Sequence, residues 1–400
     1  MKNAAVINSC NWGSTGKIAL NLYNRLSYRG FSSYFYYGRG ERSRDCRVIK
    51  FETNFEVKVH YLLATVLGLH GFFSRFATRR LVKDLDKKKI DTVFLLSPHG
   101  YYLNEHILFS YLSKRGIILV YIMIDEYPYL GKCTNEPHCE TYITGKGRCP
   151  NIKKYPKSLL FNTCPTVICS KMNNYQKVMD KAVFVGPQFV VDSSKKSYLR
   201  AYMNTVALDE AIDINLYKPV DTKDFRNKIG INEDAIVFLC VAPSDKGVEF
   251  FVELARRYRN NPNYVFVHIG STKFDIKQDN YIQIDFVKEN TDLVKYYSMA
   301  DLLVFTSLAD TMSNTCLEAL ACGTPLLVFN ISGMPYLLDE TVGCIVPPRD
   351  VDAMAKVIDK TRRKNEEIIN RCRSYAERRY DGNSYADKLI QIAIDKYNNI

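Results

Sequence analysis

The sequence contains no apolar run near the roughly 20 residues that a membrane-crossing helix needs. Its longest candidate, residues 61–73, is broken by Gly68, His70 and Gly71. Met1-Lys2-Asn3 leads straight into a short apolar stretch, Ala4 to Asn8, so the start does not read as a secretory leader. Short repeats and low-complexity tracts are absent. The twelve cysteines are mostly scattered inside apolar segments, as in Leu239-Cys240-Val241, which suggests free thiols in a reducing cytoplasm rather than a disulfide framework. Dense basic tracts are also missing beyond Lys87 to Lys89. The net charge of +12 favours anionic partners such as nucleotide phosphates, polyphosphate lipids or an acidic membrane surface. Nucleic acid would also fit, so charge alone does not choose, and the expectation of no nucleic acid partner rests on the motifs below.

What is present is the material of two α/β domains. A chain of 400 residues can bury two cores, and 46% hydrophobic with 24% charged residues is ordinary for a globular protein. Short apolar runs at 4–8, 33–37, 92–96, 117–122, 166–170 and 205–208 read as strands. Mixed segments at 18–29, 55–69, 76–88, 104–114 and 171–180 read as helices. A polar linker follows, around Asp213 to Asp224. The alternation then resumes, with strands near 235–241, 264–270, 281–285, 301–305, 325–330 and 342–346. Helices fall between them at 247–257, 290–299 and 315–321, and the tail from Asp350 is helical and charged. The expected architecture is two Rossmann-like, doubly wound parallel-sheet domains facing a cleft, with boundaries at 1–215 and 216–380 and a terminal helix, 381–400, packing back on the first domain. Residues 125–165 break the pattern and form a long irregular loop.

The most informative segment runs from Asp310 to Pro325 between two apolar runs, Leu302–Phe305 and Leu326–Phe329. A loop in that position lies at the carboxyl end of a parallel strand, where α/β proteins bind ligands. A helix starting near Ser313 to Thr315 would aim its free N–H groups at that crevice. Near the other end of the chain, Gly13, Ser14, Thr15, Gly16 and Lys17 make a glycine-rich strand-to-helix turn. It is not a phosphate loop of the Walker type, because Ile18 stands where Ser or Thr would hold magnesium. The alternative is a tight turn that binds nothing.

These motifs, with Tyr37-Gly-Arg39-Gly, His70-Gly, His99-Gly-Tyr-Tyr-Leu-Asn104 and Lys246-Gly247, occur in one order along nearly the whole chain. Together they resemble the bacterial group 1 glycosyltransferases, retaining enzymes of the two-domain GT-B kind that build capsular, exopolysaccharide or lipopolysaccharide chains. The resemblance implies an N-terminal acceptor domain, a C-terminal nucleotide-sugar domain and no catalytic metal or other cofactor. It implies that Glu318 holds the nucleotide ribose, and that Met312, Ser313, Asn314, Thr315 and Gly333 line the donor. Asp310 contacts the donor sugar and Lys246 the departing diphosphate, while Asp125 orients sugar hydroxyls. The Gly13–Lys17 turn and His99 border the phosphate and acceptor side. Three family features are altered: Asp310 is one methylene shorter than the usual Glu, Asp245 stands where an Arg precedes the Lys, and Ile124 replaces a His before Asp125.

Two segments carry alternatives. Cys133, His138, Cys139 and Cys149 form a candidate zinc set of irregular spacing, against a metal-free loop as the preferred reading. Residues 57–89 are apolar early and basic late, which suits either peripheral contact with an anionic membrane or core packing followed by a solvated helix face. The resulting expectation is a cytoplasmic, metal-independent glycosyltransferase that transfers from a nucleotide sugar to a saccharide or lipid-linked saccharide. The alternatives are a GT-B epimerase and a degenerate protein that binds nucleotide or saccharide without turnover.

Overall fold

The computed structural model describes residues 1–135 and 139–399. The chain divides into two compact units, Met1–Glu210 together with the terminal segment from Asn383, and Ala211–Gly382. The first unit holds a seven-stranded parallel sheet: β1 (Asn3–Cys10), β2 (Ser32–Arg39), β3 (Val48–Lys50), β4 (Thr92–Leu96), β5 (Ile118–Ile122), β6 (Ala182–Gly186) and β7 (Thr205–Ala207). Their spatial order is β3-β2-β1-β4-β5-β6-β7. The second unit holds a six-stranded parallel sheet: β8 (Ile236–Val241), β9 (Tyr264–Ile269), β10 (Tyr281–Ile284), β11 (Leu302–Phe305), β12 (Leu326–Phe329) and β13 (Gly343–Val346), ordered β10-β9-β8-β11-β12-β13.

Both orders reverse after the first strand of the unit, which makes β1/β4 and β8/β11 the switch points where doubly wound sheets place ligands. The central strands β4, β5, β6, β11 and β12 are buried along their whole length. Parallel strands covered by helices on both faces do not show a polar alternation, and these read as nearly continuous apolar runs rich in Val, Leu, Ile and Phe. The tail crosses from one unit to the other. Cys372, Tyr375, Ala376 and Tyr380 of the helix Glu366–Tyr380 are buried in the second unit's core. The last helix begins at Gly382 and belongs to the first unit from Asn383 on, where Arg25 donates to Asp387 at 2.8 Å.

The local pattern and the structure differ in several places. Residues 166–170, expected as a strand, lie inside the helix Cys164–Val178. Pro165 in its first turn suits a helix start, and Val167, Ile168, Lys171, Asn174, Tyr175 and Val178 are buried at helical spacing. The strands β3 and β6 and the helix Gln188–Lys196 were not expected. The glycine-rich turn is itself the first turn of the helix Gly13–Tyr28, which starts five residues before its expected beginning at Ile18.

Candidate functional site

In the second unit, β8 and β11 deliver one group each to the switch point. Gly247 follows β8 with φ +76, and a Cβ there would lie 1.9 Å from the Thr306 carbonyl oxygen. Only glycine lets the two strand-end loops close on each other at this point. Thr306 Oγ1 completes the contact by donating to the Gly247 carbonyl at 2.7 Å. The closure brings Lys246 Nζ to 3.0 Å from Asp310 Oδ2. Asp310 is 14% exposed and Lys246 is 46% exposed, so the ammonium faces solvent with donors to spare.

Ser313 stands at the N-cap position of the helix Asn314–Ala321 without a side-chain cap hydrogen bond, and the first N–H groups of a helix have no partner inside it. Met312 and Ser313 are buried, while Asn314 and Thr315 are partly exposed at the helix start. Gly333, expected to line the donor, is held against the acidic loop by its backbone. Its N–H donates to the Asp310 carbonyl at 3.0 Å, and a Cβ would fall 1.7 Å from the Thr311 carbonyl oxygen. Glycine here buttresses the acidic loop from behind.

Glu318 is half-buried one turn into that helix. Tyr297 donates its hydroxyl to Glu318 Oε2 at 2.8 Å, and the Tyr217 phenol lies in electrostatic reach of this carboxylate. Burial, together with the neighbouring carboxylate, pushes both phenols well above their ordinary pKa, so both remain donors. Sequence reasoning missed these tyrosines because they lie in a linker and on a separate helix, Asn290–Met299, with no local motif.

In the first unit, His99 and Asp125 stand at the ends of the adjacent strands β4 and β5. His99 Nε2 lies 3.5 Å from Asp125 Oδ2, and the side chains are 10% and 19% exposed. Asp125 Oδ1 also accepts the Tyr127 N–H at 2.9 Å. Burial moves the two groups in opposite directions, the imidazole down to about 3 and the carboxyl up to about 7. At neutral pH the imidazole is therefore uncharged. Gly16 packs against the Asn11 carbonyl carbon, 2.7 Å from where a Cβ would sit, and Thr15 Oγ1 accepts from Asn8 at 3.2 Å. Gly13, Ser14 and Lys17 are exposed.

The loop after Asp125 is built on two buried lysines. Lys132 Nζ donates to the carbonyls of Ile152, Lys154 and Pro156 at 2.8–3.0 Å. Lys171 Nζ donates to those of Tyr127, Leu130 and Gly131 and lies 3.4 Å from the Tyr127 ring centre. Each ammonium thus satisfies three carbonyls of a segment without regular structure. Cys133, Cys139 and Cys149 are buried here as thiols rather than disulfides. His138 lies outside the described residues. Among the described residues no three His, Cys, Asp or Glu side chains converge as a metal site.

Residues 221–379 match the family described as glycosyl transferases, group 1. Similar chains include a putative colanic acid biosynthesis glycosyl transferase of Escherichia coli K12, 21% identical over 85% of each chain. Another is the E. coli UDP-Gal:alpha-D-GlcNAc-diphosphoundecaprenol alpha-1,3-galactosyltransferase, 23% identical over 58% of this chain and 61% of the other. Among solved structures, a sucrose-phosphate synthase from Thermosynechococcus elongatus superimposes with a TM-score of 0.68 at 14% identity over all of both chains. Anabaena HepE in complex with UDP gives 0.66 at 14% identity, over 99% of this chain and all of the other. These likenesses identify the two-domain GT-B fold.

Proposed function

We propose that the chain is a group 1 glycosyltransferase that moves a sugar from a nucleoside diphosphate to a saccharide acceptor, lipid-linked through a diphosphate, during assembly of a cell-surface polysaccharide. The observation that carries this reading is the constellation of Lys246, Asp310, the helix start at Ser313 and the tyrosine-held Glu318, all at one switch point. Glu318 accepts the two ribose hydroxyls. Asp310 takes hydroxyls of the donor sugar. Lys246 and the N–H groups of Asn314 and Thr315 stabilise the charge that builds on the diphosphate. The bond from the sugar's anomeric carbon to the phosphate oxygen breaks as the acceptor oxygen attacks the same face, and the acceptor proton passes to the departing diphosphate. Retention of configuration and independence of metal are parts of this proposal, with Lys246 and the helix terminus supplying the positive charge.

Peripheral membrane contact fits the same acceptor. Among the described residues no helix is long and apolar enough to cross a membrane. The helix Asn54–Leu67 buries only His60, Ala64 and Thr65, and leaves Phe55 75% and Leu62 60% exposed. Core packing therefore does not explain its apolar residues. Leu159, whose N–H bonds the Thr65 carbonyl, continues the exposed apolar surface through Leu160 and Phe161, and the basic helix Arg75–Lys87 follows in sequence.

Incubating the full-length protein with a panel of nucleotide sugars, with and without prenyl-diphosphate saccharides, tests the reading. Acceptor-dependent release of nucleoside diphosphate is expected. Epimerised donor without acceptor, or nucleotide binding without turnover, would replace it by one of the alternatives.

A further inference from the structure

Arg39 ends β2 and is paired in register with Cys10 at the end of β1, beside the start of the helix Gly13–Tyr28. Its guanidinium makes no hydrogen bond or ion pair with any described residue, and its Nε is buried without a partner. Arginine is always charged, and a partly buried cation left unpaired is costly unless something outside the fold completes it. Among the described residues, Glu52 is a carboxyl in electrostatic reach of it, and burial holds that acid up near 8, so it is largely uncharged at neutral pH.

The surroundings are built to hold the guanidinium in place. Gly38 has no room for a Cβ, which would sit 2.2 Å from Tyr102 Cβ. Gly40 has φ +121 and lies against Asn11 and the Trp12 ring. Gly100, one residue after His99, would carry a Cβ 2.3 Å from Ser9 Cβ and 3.4 Å from Arg39 Nη2. Three glycines therefore let the ends of β1, β2 and β4 close around one side chain. Further unpartnered buried polar atoms occur at these strand ends: Asn8 Oδ1, Ser97 Oγ and His99 Nδ1. The adjoining 16-residue helix has no side-chain cap on its first N–H groups. Trp12 and Tyr155, 52% and 45% exposed, present rings beside this edge.

We propose that Arg39 receives a phosphoryl group of the acceptor, with the helix start behind Trp12 assisting and the Trp12 and Tyr155 rings flanking the attached sugar. The guanidinium fork matches two phosphoryl oxygens at once, which a lysine cannot reproduce. This rests on the acceptor reading above, but it concerns the first unit alone. The donor groups named earlier all lie in the second.

The test is calorimetry on the full-length protein. UDP, GDP and dTDP are titrated first, and the one that binds is then held saturating so that the donor site is filled. Farnesyl diphosphate, inorganic diphosphate and octyl glucoside are titrated next. Wild type is expected to bind both diphosphates. Arg39→Gln should weaken that binding roughly ten- to a hundred-fold, with Arg39→Lys in between and octyl glucoside unchanged. Tighter binding of farnesyl diphosphate than of inorganic diphosphate assigns a lipid-borne phosphate, and equal binding assigns a free one. Melting curves check that the variants are folded, and Arg39→Lys carries the test if Arg39→Gln is not. Equal diphosphate affinity in wild type and both variants, or none in wild type, would overturn the assignment. Failure of every nucleotide to bind would instead count against the donor reading, and the Arg39 comparison would still be read without nucleotide.

Discussion

Tyr297 and Glu318 are joined by a 2.8 Å hydrogen bond from phenol to carboxylate, made by a side chain wholly buried under the helix that bears the acid. This bond holds Glu318 before any ligand arrives, with the Tyr217 phenol close to the same carboxylate. An acceptor-only group fixed in this way can take two ribose hydroxyls without first being ordered.

Glu318→Gln keeps the size and removes the charge. Two charge-assisted hydrogen bonds of roughly 1.5–3 kcal/mol each are weakened. Nucleoside diphosphate affinity should fall roughly ten- to a thousand-fold. Tyr297→Phe should give a smaller loss in the same direction. Calorimetry measures both, and a chelator should leave wild-type affinity unchanged. Equal affinity in the Gln variant would remove Glu318 from the site.

Gly333→Ala tests the buttress behind the acidic loop. The added Cβ would meet the Thr311 carbonyl oxygen at 1.7 Å, and backbone cannot yield as a side-chain tip does. Overpacking of this kind costs roughly 1–3 kcal/mol. A lowered melting temperature together with weaker nucleotide binding is expected. An unchanged melting curve would show that the loop moves freely.

His99 and Asp125 make a prediction about pH. Burial raises the folded Asp125 to about 7, so the folded state binds more protons than the unfolded between about 4 and 7, and this group's share of stability falls as pH rises through that window. His99, depressed to about 3, binds fewer protons folded than unfolded between about 3 and 6.5, and its share rises there. The two trends oppose each other in wild type. Asp125→Asn removes one of them, so its stability relative to wild type should climb by roughly 1–3 kcal/mol from pH 4 to 7, discounted for the water that reaches the carboxylate. Denaturant melts across that range decide it, and parallel curves would refute it.

The exposed apolar surface predicts lipid binding. Phe55→Ser with Leu62→Ser and Leu160→Ser should abolish sedimentation with anionic liposomes while leaving the melting temperature within a degree or two. Salt should weaken wild-type binding, because charge is screened within ~10 Å at 0.1 M. Binding that survives the triple substitution would place the contact elsewhere.

The local pattern of this sequence determined the parallel sheets, because fully buried strands are continuous apolar runs whatever surrounds them. It also determined the acidic block: strand, loop, helix and Gly323-Thr-Pro325 turn lie within about two dozen residues, and Asp310 and Glu318 fall where they were expected. Tertiary structure decided what periodicity cannot encode. Residues 166–170 look like a strand, yet Pro165 and the burial of Lys171 and Tyr175 make them helical. The meeting of Tyr217 and Tyr297 at Glu318, of His99 with Asp125, and of Lys171 with three loop carbonyls joins residues that are distant in sequence. Such contacts depend on which strands become neighbours in the sheet. The Gly38-Arg39-Gly40 run counts in sequence only as one short piece of a longer series of motifs. Its meaning appears only when the ends of β1, β2 and β4 come together and leave one guanidinium without a partner among the described residues.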